Sequence, residues 1–366
     1  MTVRPALDSD RDAWQGHLAT SPAGDFLHDW GWGAVAALDG EPQRRYVLED
    51  EGRVVAIAAA QVRRLPGGRT FWYVPHGPVL DYDHPRAAEW VTEMLGALVS
   101  AGTAQRAIAI RLEPRVEAGS GRAAAFRGHR LRRRPSVQVG QTRVVSLGDD
   151  QALLAGFDRD TRYAVRRAER EGVEVTSTDD PGDREAVDEL YRLVGETQRR
   201  AGFPMPRLDR YRVAWQALAG EGRAAIFEAR RSGELVASAM LVIEGHRSYY
   251  LFSGSRREQP GEPKRYASYA LQWAMLRYAR EHGAREHDLW GVAPPGAGPE
   301  HPWHGVGLFK KGFGGREVVW AGSFELVLEP SVYRLREAVA VLRGWARRGA
   351  AAVPPSVRRI GRGRTA

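Results

Sequence analysis

Lys310 follows Phe309 inside the glycine-flanked run Gly307-Leu308-Phe309-Lys310-Lys311-Gly312-Phe313-Gly314-Gly315. A backbone with little side-chain bulk can approach a ligand closely. A cation held there could neutralise an oxyanion as it forms during acyl transfer, where one well-placed donor is worth about 3 kcal/mol. The plainer alternative is a solvated surface lysine, and Lys311 is the second candidate. Arg207 and Tyr211 are spaced i, i+4 and would share a helix face. A guanidinium there suits bidentate contact with a phosphate; an ordinary exposed pair is the alternative. Arg162 and Arg166 repeat the spacing on another predicted helix. With Arg167 and Arg170 they could meet a nucleic-acid backbone, or form a solvated face paired with Glu169 and Glu171. Asp81 follows Gly77-Pro78 and could orient an ammonium or take its proton, or simply form a turn with Tyr82-Asp83. Tyr250 and Phe252 fall on a predicted strand beside Ser253-Gly254, as core aromatics or as the edge of a cleft. His287, His301 and His304 lack a third ligand at a persuasive spacing, so no metal is expected. The chain has no cysteine, which excludes disulfides, thiolate zinc sites and thiol nucleophiles.

The elements that must position these residues occur twice. Tyr46 to Gln61, a turn at Pro66-Gly67-Gly68 and Thr70 to Val74 read as a strand meander with glycine turns. Ala225 to Val242, a turn at Glu244-Gly245-His246 and Ser248 to Phe252 read the same way. Each meander leads into a predicted helix. Residues 86–100 carry Trp90, Met94, Leu95 and Leu98 at helical spacing, and residues 266–280 carry Leu271, Met275, Leu276 and Ala279. Gly102 and Gly283 stop these helices. An apolar strand follows each, Ala107 to Leu112 and Glu286 to Trp290. Between the copies, residues 150–171, 182–200 and 207–219 read as helices. The fold class is α+β: two GNAT-like subdomains from an internal duplication, with mixed sheets flanked by helices and no coiled-coil arm. The boundary is expected near 147, after a strand at Arg143 to Leu147. Val332, Leu335, Val339, Leu342 and Ala346 make one apolar face of a last helix ringed by Arg334, Arg336, Arg343 and Arg347.

Length and charge set the bounds. The chain has 366 residues and a net charge of +9, enough for two cores. The excess arginine is pooled at 122–134, 159–170 and 334–364, which favours polyanions, although an arginine-rich composition alone would produce much of it. Met1-Thr2-Val3-Arg4-Pro5 lacks an apolar targeting region, and no apolar run approaches the roughly 20 residues of a membrane span. A cytoplasmic location is expected, with peripheral contact at the inner membrane face open.

Four segments resemble the Fem (FemA/FemB/FemX-like) aminoacyltransferase family, in family order. They are Tyr73-Val74-Pro75-His76-Gly77-Pro78-Val79-Leu80-Asp81; the helix from Thr161-Arg162 through Arg166 and Ala168 to Gly172-Val173; Glu196-Thr197 with Arg199, Phe203, Arg207 and Tyr211; and Asp288-Leu289-Trp290-Gly291 followed by the run at 307–315. The resemblance implies two GNAT-like subdomains, with the C-terminal segment returning to the first: 1–147 plus 325–350, then 148–324. Residues 351–366 are expected to form a basic, disordered tail. It implies transfer of an amino acid from aminoacyl-tRNA to an amine of a lipid-linked or UDP-linked peptidoglycan precursor, or to a small amine, without a cofactor. Lys310 and Phe309 would be catalytic. Arg207, Tyr211, Tyr250, Phe252, Tyr73 and Asp81 would line the acceptor site. Arg162, Arg166 and Lys311 would meet the tRNA. Many members carry a lysine at the position of Ala36, associated with precursor phosphates. Its absence counts against a UDP-linked acceptor. The chain resembles the shorter members, since no long helical arm interrupts 172–266. Two other functions fit the residues. One is an acyl-CoA-dependent GNAT-type N-acyltransferase, with Gln259 to Lys264 as a proline-interrupted phosphate cradle. The other is a non-catalytic nucleic-acid or membrane-binding protein using the basic C-terminal helix.

Overall fold

Apolar alternation broken by glycine turns makes each predicted meander a three-stranded antiparallel ribbon. The computed structural model describes residues 1–202, 204–257, 266–294, 296–301 and 303–339. The first half runs β1 (Thr2–Pro5), α1 (Arg11–Thr20), α2 (Trp32–Leu38), β2 (Gln43–Asp50), β3 (Arg53–Leu65), β4 (Arg69–His76), β5 (Val79–Leu80), α3 (Ala87–Ala104), β6 (Ala107–Pro114) and β7 (Arg132–Arg134). The chain continues through β8 (Gln141–Ser146), α4 (Asp150–Gly156), α5 (Arg159–Arg170), β9 (Val173–Thr178), α6 (Arg184–Ala201), α7 (Leu208–Ala219), β10 (Ala224–Arg231), β11 (Glu234–Glu244) and β12 (Arg247–Ser255). It ends in α8 (Ala267–Glu281), β13 (Glu286–Gly291), α9 (His304–Gly312), β14 (Arg316–Val319) and β15 (Ser323–Val327).

The two sheets share one plan. Their strand orders are β1-β2-β3-β4-β6-β15-β7 and β9-β10-β11-β12-β13-β8-β14. In each, the meander pairs antiparallel and the strand after the long helix returns parallel to it, β6 on β4 and β13 on β12. The next position in each sheet is filled by exchange. β15 leaves the second half to pair with β6 and β7. β8, which the sequence placed before the boundary at 147, pairs with β13 and β14 of the second sheet. Neither sheet is complete without a strand that enters from the other copy.

Helices cover the sheets by burying their apolar stripes. Trp90, Met94 and Leu98 of α3 meet Leu48, Trp72 and Leu112. Trp14 and Leu18 of α1 cover the opposite face at Val47 and Ile57. In the second sheet, Leu271, Met275 and Leu276 of α8 pack on Phe227, Ala239 and Leu241. On its other face, Val187 and Leu190 of α6 and Trp215 of α7 are joined by Phe26, Trp32 and Val35 of the first half. The halves therefore share a core. The helix expected over 150–171 is split at Phe157-Asp158, because Asp158 turns out of helical geometry and its carboxylate accepts from Thr161 N at 2.7 Å to start α5.

After β15, residues 331–339 are helical. Tyr333 is the buried side chain there, and its hydroxyl donates to the buried Glu325. Of the expected apolar face, Val332 is partly buried against the cluster of Phe71 and Tyr73, while Leu335 is 65% and Val339 37% exposed. Leu342, Ala346 and the basic tail lie outside the described residues.

Glu325 also accepts from Arg111 Nε at 2.7 Å and Arg134 Nε at 3.0 Å, joining β15 to β6 and β7. Removing one member of a buried ion cluster leaves the others uncompensated, at a cost of about 3 kcal/mol. Glu325→Ala is expected to lower stability by that order in urea unfolding, within one transition that involves both halves. Burial opposes ionisation of Glu325, but Tyr333 and the two arginines hold its carboxyl below the ordinary value. Its contribution is present above the unfolded-state carboxyl range and fades as pH falls through it. The wild-type advantage over the variant should shrink on acidification; a constant difference would remove this role.

Candidate active site

Lys310 lies on α9, a helix rather than an open glycine loop, and its side chain turns inward. The residue is 6% exposed. Its Nζ donates to Gly291 O at 2.7 Å and lies 5.9 Å from the Tyr250 ring centre. Burial pushes its ammonium down to about 7, and the Asp288 carboxylate only partly offsets this. An ammonium has three donors, so two remain once Gly291 is satisfied. The family-like segments explain this placement. At Gly312 an added Cβ would lie 2.1 Å from Thr161 Oγ1, so only glycine lets α9 end against α5. Asp158 N donates to Gly312 O at 2.9 Å across the same contact. At Gly291 a Cβ would lie 2.7 Å from Val139 Cγ1. Asp288 Oδ1 accepts from Trp290 N at 2.8 Å, which shapes the end of β13 and sets the Gly291 carbonyl. His287 lines the same interior. Its nitrogens meet Ser248 Oγ and Gln272 Nε2, each at 2.8 Å. Burial, then the Lys310 charge, pulls it down to about 3, so it is neutral at physiological pH.

A buried charge cluster joins this site to the first half. Arg115 Nη2 donates to Asp288 Oδ2 at 2.7 Å, and its Nε lies 3.5 Å from Asp25 Oδ2. Asp25 Oδ2 is also 2.9 Å from His76 Nδ1. Thr142 of β8 donates to Asp288 Oδ1. The Arg115 guanidinium sits 4.8 Å from the Trp320 ring centre and 5.5 Å from that of Tyr249. Burial alone would raise the Asp25 carboxyl; His76 and Arg115 outweigh it and hold it below the usual range. His76 and Trp290 both adopt left-handed backbone, with φ of 47° and 62°. Such strain in non-glycine residues gathers at functional sites. Asp25 and Arg115 escaped the sequence reading because isolated charged residues carry no periodic signal. His76 and Asp288 stood inside quoted segments without a role.

The other candidates scatter. Phe309 is half-buried and packs on Tyr269 and Phe313 in the second core. Lys311 is exposed. Arg207 and Tyr211 do not share a helix face. Arg207 precedes α7 with extended backbone, exposed and paired with Asp209 at 2.7 Å. Tyr211 is buried against Phe252 and Tyr191. Tyr250 and Phe252 face opposite sides of their sheet, because a bulge between Met240 and Leu241 inserts Leu251 and reverses the alternation. Tyr250 therefore lies toward Lys310, while Phe252 joins the α6–α7 core. Tyr73 is buried, and its hydroxyl donates to Glu113 at 2.7 Å. Asp81 forms the turn, accepting from Asp83 N at 2.9 Å. Arg162 donates to Phe157 O and, at 3.4 Å, to Leu154 O, so it ties α5 to α4. Arg166, one turn further along α5, is exposed. Among the described residues no group of side chains is arranged to hold a metal. Phe203 and Gln259 to Lys264 lie outside them.

Residues 155–301 match a family described as acetyltransferase (GNAT) domain. The chain is 24% identical over 404 residues to a lipid II:glycine glycyltransferase of Staphylococcus saprophyticus, covering 90% of this chain and 94% of that one. The crystal structure of FemX superposes with a TM-score of 0.81 at 22% identity, covering 92% of this chain and 99% of its own. A C-terminal domain of a putative lysylphosphatidylglycerol synthetase from Agrobacterium fabrum gives 0.53 at 15% identity, covering 91% and 96%. These matches bear out the resemblance to the Fem enzymes and the duplicated GNAT-like fold.

The buried Lys310 makes a signed prediction. The folded state binds its proton weakly, with a midpoint of about 7, while an unfolded lysine holds it to about 10.4. Between these values the unfolded chain binds more protons, so this residue makes stability rise with pH. Lys310→Met should be more stable than wild type below pH 7, with the difference shrinking toward pH 10 in paired denaturation curves. Parallel pH profiles would mean that the ammonium is solvated.

Proposed function

We propose that this Fem-type acyltransferase moves an amino acid from aminoacyl-tRNA to an amine on the stem peptide of a peptidoglycan precursor. The observation that carries the reading is Lys310, buried and bonded to Gly291 O at 2.7 Å where α9 meets β13. The amine attacks the aminoacyl carbonyl carbon, a C–N bond forms, and the ester oxygen of the tRNA leaves. Ester aminolysis runs downhill and needs no cofactor. It needs orientation and positive charge at the developing oxyanion, and a fixed ammonium away from water supplies both. A cation whose proton affinity has been lowered is also a stronger acid toward that oxygen.

The relatives' name points to glycine as the transferred residue and to a lipid-linked acceptor. Ala36 is buried on α2 and supplies no cation where many Fem enzymes have one, which favours the lipid-linked precursor over a UDP-linked one. Arg207, exposed at the start of α7, is available to acceptor phosphates. Exposed Arg166 and Lys311 are available to tRNA phosphates. Among the described residues no helix is long and apolar enough to cross a membrane. Exposed Leu335 and Val339, with Arg334 beside them, offer a peripheral contact to a bilayer carrying the acceptor. The GNAT-domain match keeps acyl-CoA as the second donor class.

The test is incubation with pooled labelled aminoacyl-tRNAs, acetyl-CoA, and lipid-linked and nucleotide-linked precursors. Glycyl label should pass from RNA to the lipid-linked acceptor. Lys310→Ala should slow transfer about 100-fold or more, the scale for losing an oxyanion donor, while leaving aminoacyl-tRNA affinity nearly unchanged. Equal loss of both would remove the catalytic role. Turnover of acetyl-CoA alone would select the second donor, and tRNA or vesicle binding without any transfer would leave a binding protein.

A further inference from the structure

Three histidines are buried among the described residues, and two are fully satisfied. His28 accepts from Ala59 N at 3.2 Å and reaches Pro75 O at 2.8 Å with its other nitrogen. His287 meets Ser248 and Gln272. His76 differs. It is 3% exposed; its Nδ1 lies 2.9 Å from Asp25 Oδ2 as an ion-pair contact, and neither ring nitrogen makes a hydrogen bond among the described residues. Leaving a buried polar nitrogen unpaired is unfavourable, and so is the left-handed backbone at this residue, φ 47°. A purely structural histidine has no need of either.

The surroundings tie this imidazole to the strand that holds Lys310. Its ring centre is 5.9 Å from Trp290 and 6.4 Å from Trp320, both only half-buried. Trp290 immediately precedes Gly291, whose carbonyl holds Lys310. The imidazole thus packs on Trp290, and the ammonium bonds to the next residue of β13. The charged and titratable groups around His76 are Asp25, Arg115 and His28. His28 is pulled down to about 4 by burial and stays neutral, so the fixed charges nearest the imidazole are the Asp25 carboxylate and the Arg115 guanidinium.

We propose that His76, oriented by Asp25, is the base that takes the proton from the attacking amine. This role rests on the transfer reading above. As the amine nitrogen bonds to the aminoacyl carbon, its proton passes to His76 Nε2. The tetrahedral adduct then expels the 3′ oxygen of the tRNA, and the imidazolium returns the proton to it. The products are an amide and a free tRNA hydroxyl, and the imidazole ends neutral. Asp25 is a positioning residue: its carboxylate, 2.9 Å from Nδ1, favours the proton on that nitrogen and so leaves Nε2 as the acceptor.

The experiment is single-turnover transfer from labelled aminoacyl-tRNA, followed from pH 5 to 9, using variants that keep the wild-type circular dichroism spectrum. His76→Ala should lose about 10² to 10⁴-fold in rate, the usual worth of a general base, and added imidazole should restore part of it. Asp25→Asn removes the carboxylate that orients the imidazole and should lower the single-turnover rate while leaving the aminoacyl-tRNA concentration for half-maximal rate unchanged. Wild-type rates in both variants would overturn the proposal while leaving transfer itself intact. If wild-type protein moves no label from any aminoacyl-tRNA, the transfer reading falls and this role falls with it.

Discussion

A guanidinium can leave water only if its charge is matched, and Arg115 is matched only when the two halves are together. Asp25 comes from its own half and Asp288 from the other. Removing one partner of such a buried set leaves the rest uncompensated, which costs several kcal/mol even where the intact set contributes little net stability. The cluster is therefore better understood as a fixer of geometry than as a source of stability. Asp288 shapes the end of β13, that end presents the Gly291 carbonyl, and the carbonyl holds Lys310. Arrangement of the buried lysine depends on docking of the two copies.

The strand exchange serves the same end through the backbone. With β8 in the second sheet and β15 in the first, neither sheet can close alone. Phe26 and Trp32 then enter the core beneath α6 and α7. A site between two domains free to move would hold its groups loosely, whereas acyl transfer gains from donors already aimed. The interlocked halves supply that rigidity.

Much of the fold was legible in the sequence because it is periodic. The two meanders, α3, α8, α6 and α7 all announce themselves through apolar spacing; Gly283 lies just past the end of α8, whereas α3 runs through Gly102 to Ala104. The exchange was half legible: family likeness implied the return of β15, but nothing in the short strand at 141–146 says which sheet it joins. Spacing misled where local geometry intervened. Arg207 and Tyr211 are four apart, yet α7 begins at Leu208, so one precedes the helix and the other enters the core. Tyr250 and Phe252 are two apart, yet a bulge divides them. The charge cluster was illegible because long-range pairing of single residues leaves no local pattern. One signal was present all along. The chain has three lysines against 51 arginines, and two of the three are Lys310 and Lys311. A guanidinium stays protonated in a protein, while a buried ammonium can lose its proton. Where composition otherwise favours arginine, a retained lysine fits a position that needs a titratable cation.

That scarcity makes the central claim directly measurable. Protein labelled with ¹³C-lysine carries few lysine side-chain signals, and Lys310→Arg and Lys311→Arg assign them. Titration should give Lys310 a midpoint near 7. A Lys310 midpoint near 10 would contradict the account, since it would describe a hydrated surface ammonium and not a cation buried where α9 meets β13.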